Sequence, residues 1–274
     1  MSKQARGKLI IIGGHEDKAN DPSILELVAK EVKRLKGSLV ITTVASNVPD
    51  ELVDEYIPAF KDLGVQHIDV LDIRSREDAY DEATVRKLED AAVIFFTGGD
   101  QLRITSQIGD SPIYRRMKDL FADGGTVVGT SAGAAVLPET MLVSGASDES
   151  SEVSALGMAP GLGLIQGVVI DSHFAQRGRM GRLLGAVAQN PKNLGLGIDE
   201  NTAIVVEHEK QFRVIGAGAV YVVDGAGISY SSLSEKHPEG IISIYDVRLH
   251  VLGEGDCFDL VNRHPEMQAE TEAS

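Results

Sequence analysis

The sequence predicts an α/β fold, a parallel sheet flanked by helices with antiparallel strands added toward the C-terminus. Three observations carry that expectation. In the first half, short apolar runs alternate with longer amphipathic stretches, as βαβ units require. Two of the runs, residues 92–97 and 126–129, read as strands buried in a sheet. After about residue 200 the apolar runs become rich in β-branched residues separated by turn signals, the pattern of antiparallel strands.

Residues 9–12 form the first strand. Residues 24–35 form a helix because Ile24, Leu25, Leu27, Val28, Val32 and Leu35 fall at helical spacing, with Ser23 placed to cap it. The second strand is 38–43, and the second helix is 49–63, with Pro49 in its first turn. A short strand follows at 66–71, a weak helix at 85–88, the strand at 92–97, a helix at 113–121 and the strand at 126–129, opened by Gly124-Gly125. In the second half, 164–170 and 194–198 read as strands around a helix at 180–188. Residues 203–206, 212–215, 220–223 and 241–252 supply the antiparallel addition. A chain of 274 residues that is 43% hydrophobic can bury the core of one large α/β domain, expected over residues 1–261, with a polar, disordered tail at 262–274. The Ser/Asp/Glu-rich run 145–154 reads as a loop, either a mobile rim or plainly solvated.

Composition excludes several classes. The N-terminal apolar run before Gly13 is too short for a secretory signal, and no stretch suits a membrane span. The single Cys257 forbids an intrachain disulfide and suits a reducing compartment, so the cytoplasm is the expected location. A net charge of −15 repels a phosphate backbone, so neither nucleic acid nor membrane is an expected partner. Arg177, Arg179 and Arg182 form one local basic cluster, better suited to a small ligand carrying carboxylates.

The chemistry concentrates at Gly129-Thr130-Ser131-Ala132-Gly133. Gly-x-Ser-x-Gly between a buried strand and a helix is the pattern of a nucleophile elbow, whose sharp turn exposes the serine hydroxyl. A tight turn with an incidental serine is the competing reading. A serine hydroxyl needs an adjacent base and an acid that orients it. Of seven histidines, His67, His208, His237, His250 and His264 fall in polar loops or strand edges. His15 and His173 each stand just past the C-terminal end of a predicted parallel strand, the edge where α/β sheets assemble sites, and position alone favours His173. Among 41 acidic residues, Glu200 falls just past another strand end, while adjacent Asp199 would face the other way. Gly99, in Thr97-Gly98-Gly99-Asp100-Gln101, could bring a backbone N–H to an oxyanion beside that of Ala132. The chain order Ser131, His173, Glu200 departs from that of the α/β-hydrolases, where the acid precedes the histidine.

These motifs together resemble those of the cyanophycinases. The resemblance is carried by Gly-Gly-x-Glu-Asp at 13–17, Thr-Gly-Gly-Asp-Gln at 97–101, Gly-Thr-Ser-Ala-Gly-Ala at 129–134, Asp-x-His-Phe at 171–174 with the arginines that follow, and Gly-Ile-Asp-Glu at 197–200. It spans roughly residues 8–260. It implies a flavodoxin-like α/β fold related to the class I glutamine amidotransferases and shared with the aspartyl dipeptidases, and a Ser131-His173-Glu200 triad. It also implies a substrate pocket at Gln101, Asp171, Ser172, Arg177, Arg179 and Arg182, a homodimer, and no metal or organic cofactor. The implied reaction is hydrolysis of cyanophycin, a poly-aspartate whose side chains carry arginine, to β-Asp-Arg dipeptides through an acyl-enzyme. Two positions depart from the family pattern. Ser172 stands where Gln is commoner, and His15 where a small residue is commoner, which leaves the triad intact and bears on fine specificity. An aspartyl dipeptidase and a non-catalytic binding module of the same fold are the alternatives. A glutaminase would need a cysteine at the elbow, and Cys257 is far from it in sequence.

Overall fold

A computed structural model describes residues 7–144, 156–233 and 242–266 of the chain. The first half forms β1 (Lys8–Ile12), α1 (Ser23–Leu35), β2 (Ser38–Thr42), α2 (Pro49–Asp62), β3 (Ile68–Leu71), α3 (Glu82–Arg86), β4 (Ala91–Phe96), α4 (Gln101–Ile108), α5 (Pro112–Ala122), β5 (Thr126–Thr130) and α6 (Ala132–Ala135). The second half continues with β6 (Thr140–Ser144), β7 (Gly157–Pro160), β8 (Val168–Ser172), α7 (Met180–Gln189), β9 (Leu194–Ile198), β10 (Thr202–Glu207), β11 (Gln211–Gly216) and β12 (Val220–Asp224). It closes with β13 (Tyr230–Ser231), β14 (Ile244–Tyr245), β15 (Arg248–Leu252), β16 (Cys257–Asp259) and β17 (His264–Glu266).

The main sheet has the order β17-β16-β11-β10-β1-β5-β4-β2-β3. Its β1-β5-β4-β2-β3 half is parallel. Strands β10, β11, β16 and β17 extend it antiparallel from β1. Side chains of β1 alternate between two cores. Ile10 and Ile12 pack with Ile24, Val28 and Phe60 of α1 and α2, while Leu9 and Ile11 join the core of α4 and α5. Burial on both faces is why these strands read as continuous apolar runs.

A second sheet, β15-β12-β9-β8, lies against the α4–α5 side of the main sheet and shares its core through Ile170, Leu196, Ile198 and Val222. The parallel rhythm of the second half thus belongs to a separate sheet. Helix α7 covers the far face of that sheet through Leu183, Ala186 and Val187.

Several expectations shift. Ser23 is the first residue of α1 rather than its cap, because Pro22 takes the cap position and no side chain bonds the helix end. Helix α4 was not anticipated, since only Ile104 and Ile108 of its eight residues are buried and the apolar signal is faint. Asp100 starts α4 by accepting from the Leu102 N–H at 2.8 Å. The strand expected at 164–170 begins only at Val168, and the β6–β7 hairpin was not anticipated. Strand β17 pairs with β16 inside the segment expected to be a disordered tail; Phe258 lies opposite Pro265. The expected rim loop at 145–154 lies outside the described residues. No helix among the described residues is long and apolar enough to cross a membrane.

Candidate active site

Strand β5 ends in a backbone that only small residues permit. A Cβ on Gly129 would lie 2.2 Å from the Gly133 carbonyl oxygen, and one on Gly133 would lie 2.3 Å from that of Phe96. Between them Ser131 adopts φ 56°, ψ −112°, a sparsely populated conformation of the kind that lifts a nucleophile out of an elbow. The surroundings hold it there. Its N–H donates to the Ile12 carbonyl at 3.1 Å, and its own carbonyl accepts from Ala134 and Ala135.

The imidazole comes from the second sheet. His173 follows β8, takes φ 48°, and donates its backbone N–H to the Gly13 carbonyl at 2.8 Å. That bond ties the two sheets together where β1 ends. The close approach explains Gly13-Gly14. A Cβ on Gly13 would lie 2.0 Å from the Asp199 carbonyl oxygen, and one on Gly14, at φ 104°, would lie 2.3 Å from His173 Cε1.

Glu200 follows β9. His173 Nε2 is 2.8 Å from Ser131 Oγ, and His173 Nδ1 is 2.7 Å from Glu200 Oε1. Asp199 turns away, as expected, and accepts the backbone N–H groups of Ala175 and Ala219. His15 belongs to the same cluster. Its Nδ1 is 3.3 Å from Glu200 Oε2, and its ring stands edge-on to that of His173 with centroids 5.1 Å apart.

Electrostatics favour a neutral imidazole beside an ionised carboxylate. Burial disfavours a charged His173, and Arg177 and His15 add repulsion; together they outweigh the stabilising contact with Glu200 and hold its pKa below the usual value. Burial of Glu200 works against its charge, but the His173 hydrogen bond and the positive fields of His15 and Arg177 prevail, so its pKa is lowered. A hydroxyl next to a neutral imidazole, itself anchored by a carboxylate, can transfer its proton as it attacks a carbonyl.

Gly98 and Gly99 follow β4. A Cβ on Gly98 would lie 3.3 Å from Ser131 Cβ, and Gly99, at φ 142°, passes so close to Ala45 that a Cβ would be 2.1 Å from its carbonyl oxygen. Among the described residues, neither the Gly99 nor the Ala132 N–H has a hydrogen-bond partner. Ser131, His173, Gly98 and Gly99 line a cleft of about 630 Å³, together with Lys18 and Arg177.

The residues implied as a substrate pocket divide. Arg177 is exposed and lines the cleft. Asp171 is fully buried and ion-paired with Arg179 Nη1 at 3.0 Å and with Arg182, whose Nε donates at 2.7 Å. Arg179 also donates to the Ser172 carbonyl at 2.6 Å, and Ser172 itself is buried. Gln101 donates from Nε2 to the Leu142 carbonyl at 2.7 Å. These residues bond to one another or to the backbone because desolvating a cation or carboxylate without a partner is costly.

A further buried group was legible only as part of a motif. Glu16 is 3% exposed and accepts hydrogen bonds from Tyr56 Oη and from Thr130 Oγ1, the latter at 2.7 Å, directly beside the elbow. Burial and the Glu16 charge push the Tyr56 hydroxyl well above its ordinary pKa, so it stays a donor. The Lys18 ammonium lies 4.6 Å from the Tyr56 ring centroid.

An α/β sheet whose strand ends carry a linked hydroxyl, imidazole and carboxylate defines a hydrolase. The chain belongs to Peptidase family S51, whose model matches residues 9–215, and it is a peptidase. The cyanophycinase of Synechococcus elongatus is 37% identical over 256 residues, covering 93% of this chain and 80% of that protein. That of Geminocystis herdmanii is 36% identical over 266 residues, covering 97% and 98%. The crystal structure of a peptidase from an acI-B1 Actinobacterium matches with TM-score 0.71 at 21% identity, covering 94% of this chain and 98% of that one. A putative peptidase E from Listeria monocytogenes matches with TM-score 0.55 at 17% identity, covering 78% and 100%. The solved structures share the fold, and the cyanophycinases bear out the resemblance carried by the motifs.

Proposed function

We propose that this chain is a serine peptidase that hydrolyses cyanophycin to β-Asp-Arg dipeptides through an acyl-enzyme on Ser131. The observation that carries the proposal is the unbroken pair of hydrogen bonds from Ser131 Oγ through His173 to Glu200, opening on the cleft. Ser131 Oγ attacks the scissile carbonyl as His173 Nε2 takes its proton. Glu200 keeps the other ring proton on Nδ1 and stabilises the imidazolium. The N–H groups of Gly99 and Ala132 hold the oxyanion. His173 then protonates the leaving amine, and water, deprotonated by the same imidazole, releases the acyl group and restores Ser131.

Arg177 offers its guanidinium to a substrate carboxylate in the cleft. Asp171, Arg179 and Arg182 hold the turn that carries His173 and Arg177, Arg179 also through its bond to the Ser172 carbonyl. Cytoplasmic location and a homodimer belong to the proposal, supported by the lone cysteine and the family motifs.

The test is dipeptide release from purified cyanophycin by the wild type and Ser131→Ala. The variant is expected to lose activity by about 10⁶-fold. Unchanged turnover would exclude Ser131 as nucleophile. A wild type inert on the polymer but active on Asp-X dipeptides would make the chain an aspartyl dipeptidase.

A further inference from the structure

We propose that His15, Glu200 and His173 form an inhibitory site for a divalent transition-metal ion of the zinc type. The proposal rests on the reading of His173 and Glu200 as base and orienting acid, and adds regulation to that site.

The Ser131–His173–Glu200 chain of hydrogen bonds is complete without His15. Yet one ligand atom from each of His15, His173 and Glu200 lies within 4.8 Å of the other two. Glu200 divides its oxygens, Oε1 toward His173 and Oε2 toward His15. The 3.3 Å from His15 Nδ1 to Glu200 Oε2 matches the edge of a tetrahedron with ligand bonds of about 2.0–2.1 Å, which is about 3.3–3.4 Å. Two imidazoles and one carboxylate suit zinc and its neighbours rather than magnesium or calcium, which take oxygen donors. His15 is accessible, with its side chain 73% exposed at the cleft. Its backbone is also held, since the Gly14 carbonyl accepts from the Asn201 N–H at 2.9 Å. Water completes the coordination shell.

Coordination removes the base whichever ring nitrogen of His173 binds. Through Nε2, the metal occupies the lone pair that must receive the Ser131 proton. Through Nδ1, the ring loses the proton facing Glu200 to solvent and takes one at Nε2, so it stays neutral but points a proton at Ser131. Both arrangements are undone by a chelator.

The experiment compares wild type, His15→Ala and Ser131→Ala. Dipeptide release by wild type and His15→Ala is measured with ZnCl₂ and with EDTA, the zinc rate of each being divided by its own EDTA rate, and Ser131→Ala is assayed for residual turnover. Binding is followed independently by the visible absorption of added CoCl₂. Wild type is expected to be inhibited reversibly, and His15→Ala to need about 100-fold more zinc. Loss of an outer-shell partner alone already weakens a site about 10–100-fold, and His15 is a direct ligand. Ser131→Ala should bind cobalt like wild type. Equal zinc sensitivity in wild type and His15→Ala, or cobalt spectra unchanged by His15→Ala, would overturn the site. Turnover surviving in Ser131→Ala would instead remove the parent reading, and the cobalt titration would still decide the metal site.

Discussion

Replacing Gly14 by alanine should disable the site while leaving Ser131, His173 and Glu200 themselves unsubstituted. The new Cβ would sit 2.3 Å from His173 Cε1, 2.6 Å from Nε2 and 3.0 Å from Nδ1. Non-bonded carbons settle at about 3.5 Å, so the imidazole must retreat by about 1 Å. Ser131 Oγ and His173 Nε2 are 2.8 Å apart, and a shift of that size takes them beyond hydrogen-bond range or out of line. A 1 Å misplacement costs about 100-fold in rate. The loss should fall mainly on kcat, because His173 is displaced while the other residues lining the cleft keep their places. Backbone strain adds a separate cost, since Gly14 has φ 104°. About 1–3 kcal/mol of strain lowers Tm by about 2–10 °C in a chain of this size. Gly167→Ala separates the two effects. Gly167 also has positive φ, 72°, but nothing lies within 4 Å of its would-be Cβ. It should lose Tm and keep kcat. If Gly14→Ala kept kcat within about twofold of wild type, the argument that Gly14 exists to admit the imidazole would be wrong.

If Glu200 is the orienting acid proposed above, Glu200→Gln, which keeps the shape of the anchor but removes its charge, should lower kcat about 10⁴-fold with the fold intact by circular dichroism. On the proposed mechanism, protonation of His173 fills the lone pair that must take the Ser131 proton, so kcat/KM should fall as pH drops through the His173 pKa. Because burial lowers that pKa, the acid limb should lie below about 6.5, and a midpoint above that value would contradict the geometry. Asp171→Asn leaves Arg179 and Arg182, with side chains 10% and 12% exposed, without their carboxylate. Breaking such a buried pair costs about 3–5 kcal/mol, or about 10 °C in Tm. If thermal melts show no change while KM rises, Asp171 is a substrate ligand and not a brace.

Much of the architecture was legible because it is local. The strands at residues 9–12, 92–97 and 126–129 are apolar apart from the terminal Thr97 and Thr126 because both faces of the main sheet are covered, and β1, β4 and β5 fall there. Ser131 was legible because the elbow demands glycine on both sides at close backbone approach. Helix α4 was not, because its buried face is two isoleucines wide. Nor was the partition into two sheets, since β8 and β9 have the same local pattern as the strands of the first.

The sequence by itself determined the main strands and helices of the first half, the serine of the elbow, and a short set of candidates at strand ends. Only the tertiary structure decided how the candidates combine. It placed His173 rather than His15 against Ser131, because β8 brings residue 173 across to the end of β1 while His15 turns toward the second oxygen of Glu200. It also separated three arginines that are alike in sequence, leaving Arg177 in the cleft and folding Arg179 and Arg182 onto Asp171. The reason is physical. Spacing along a chain sets which face of an element a residue occupies, but the partner of a buried charge or a proton-transfer group is set by which other element packs against that face.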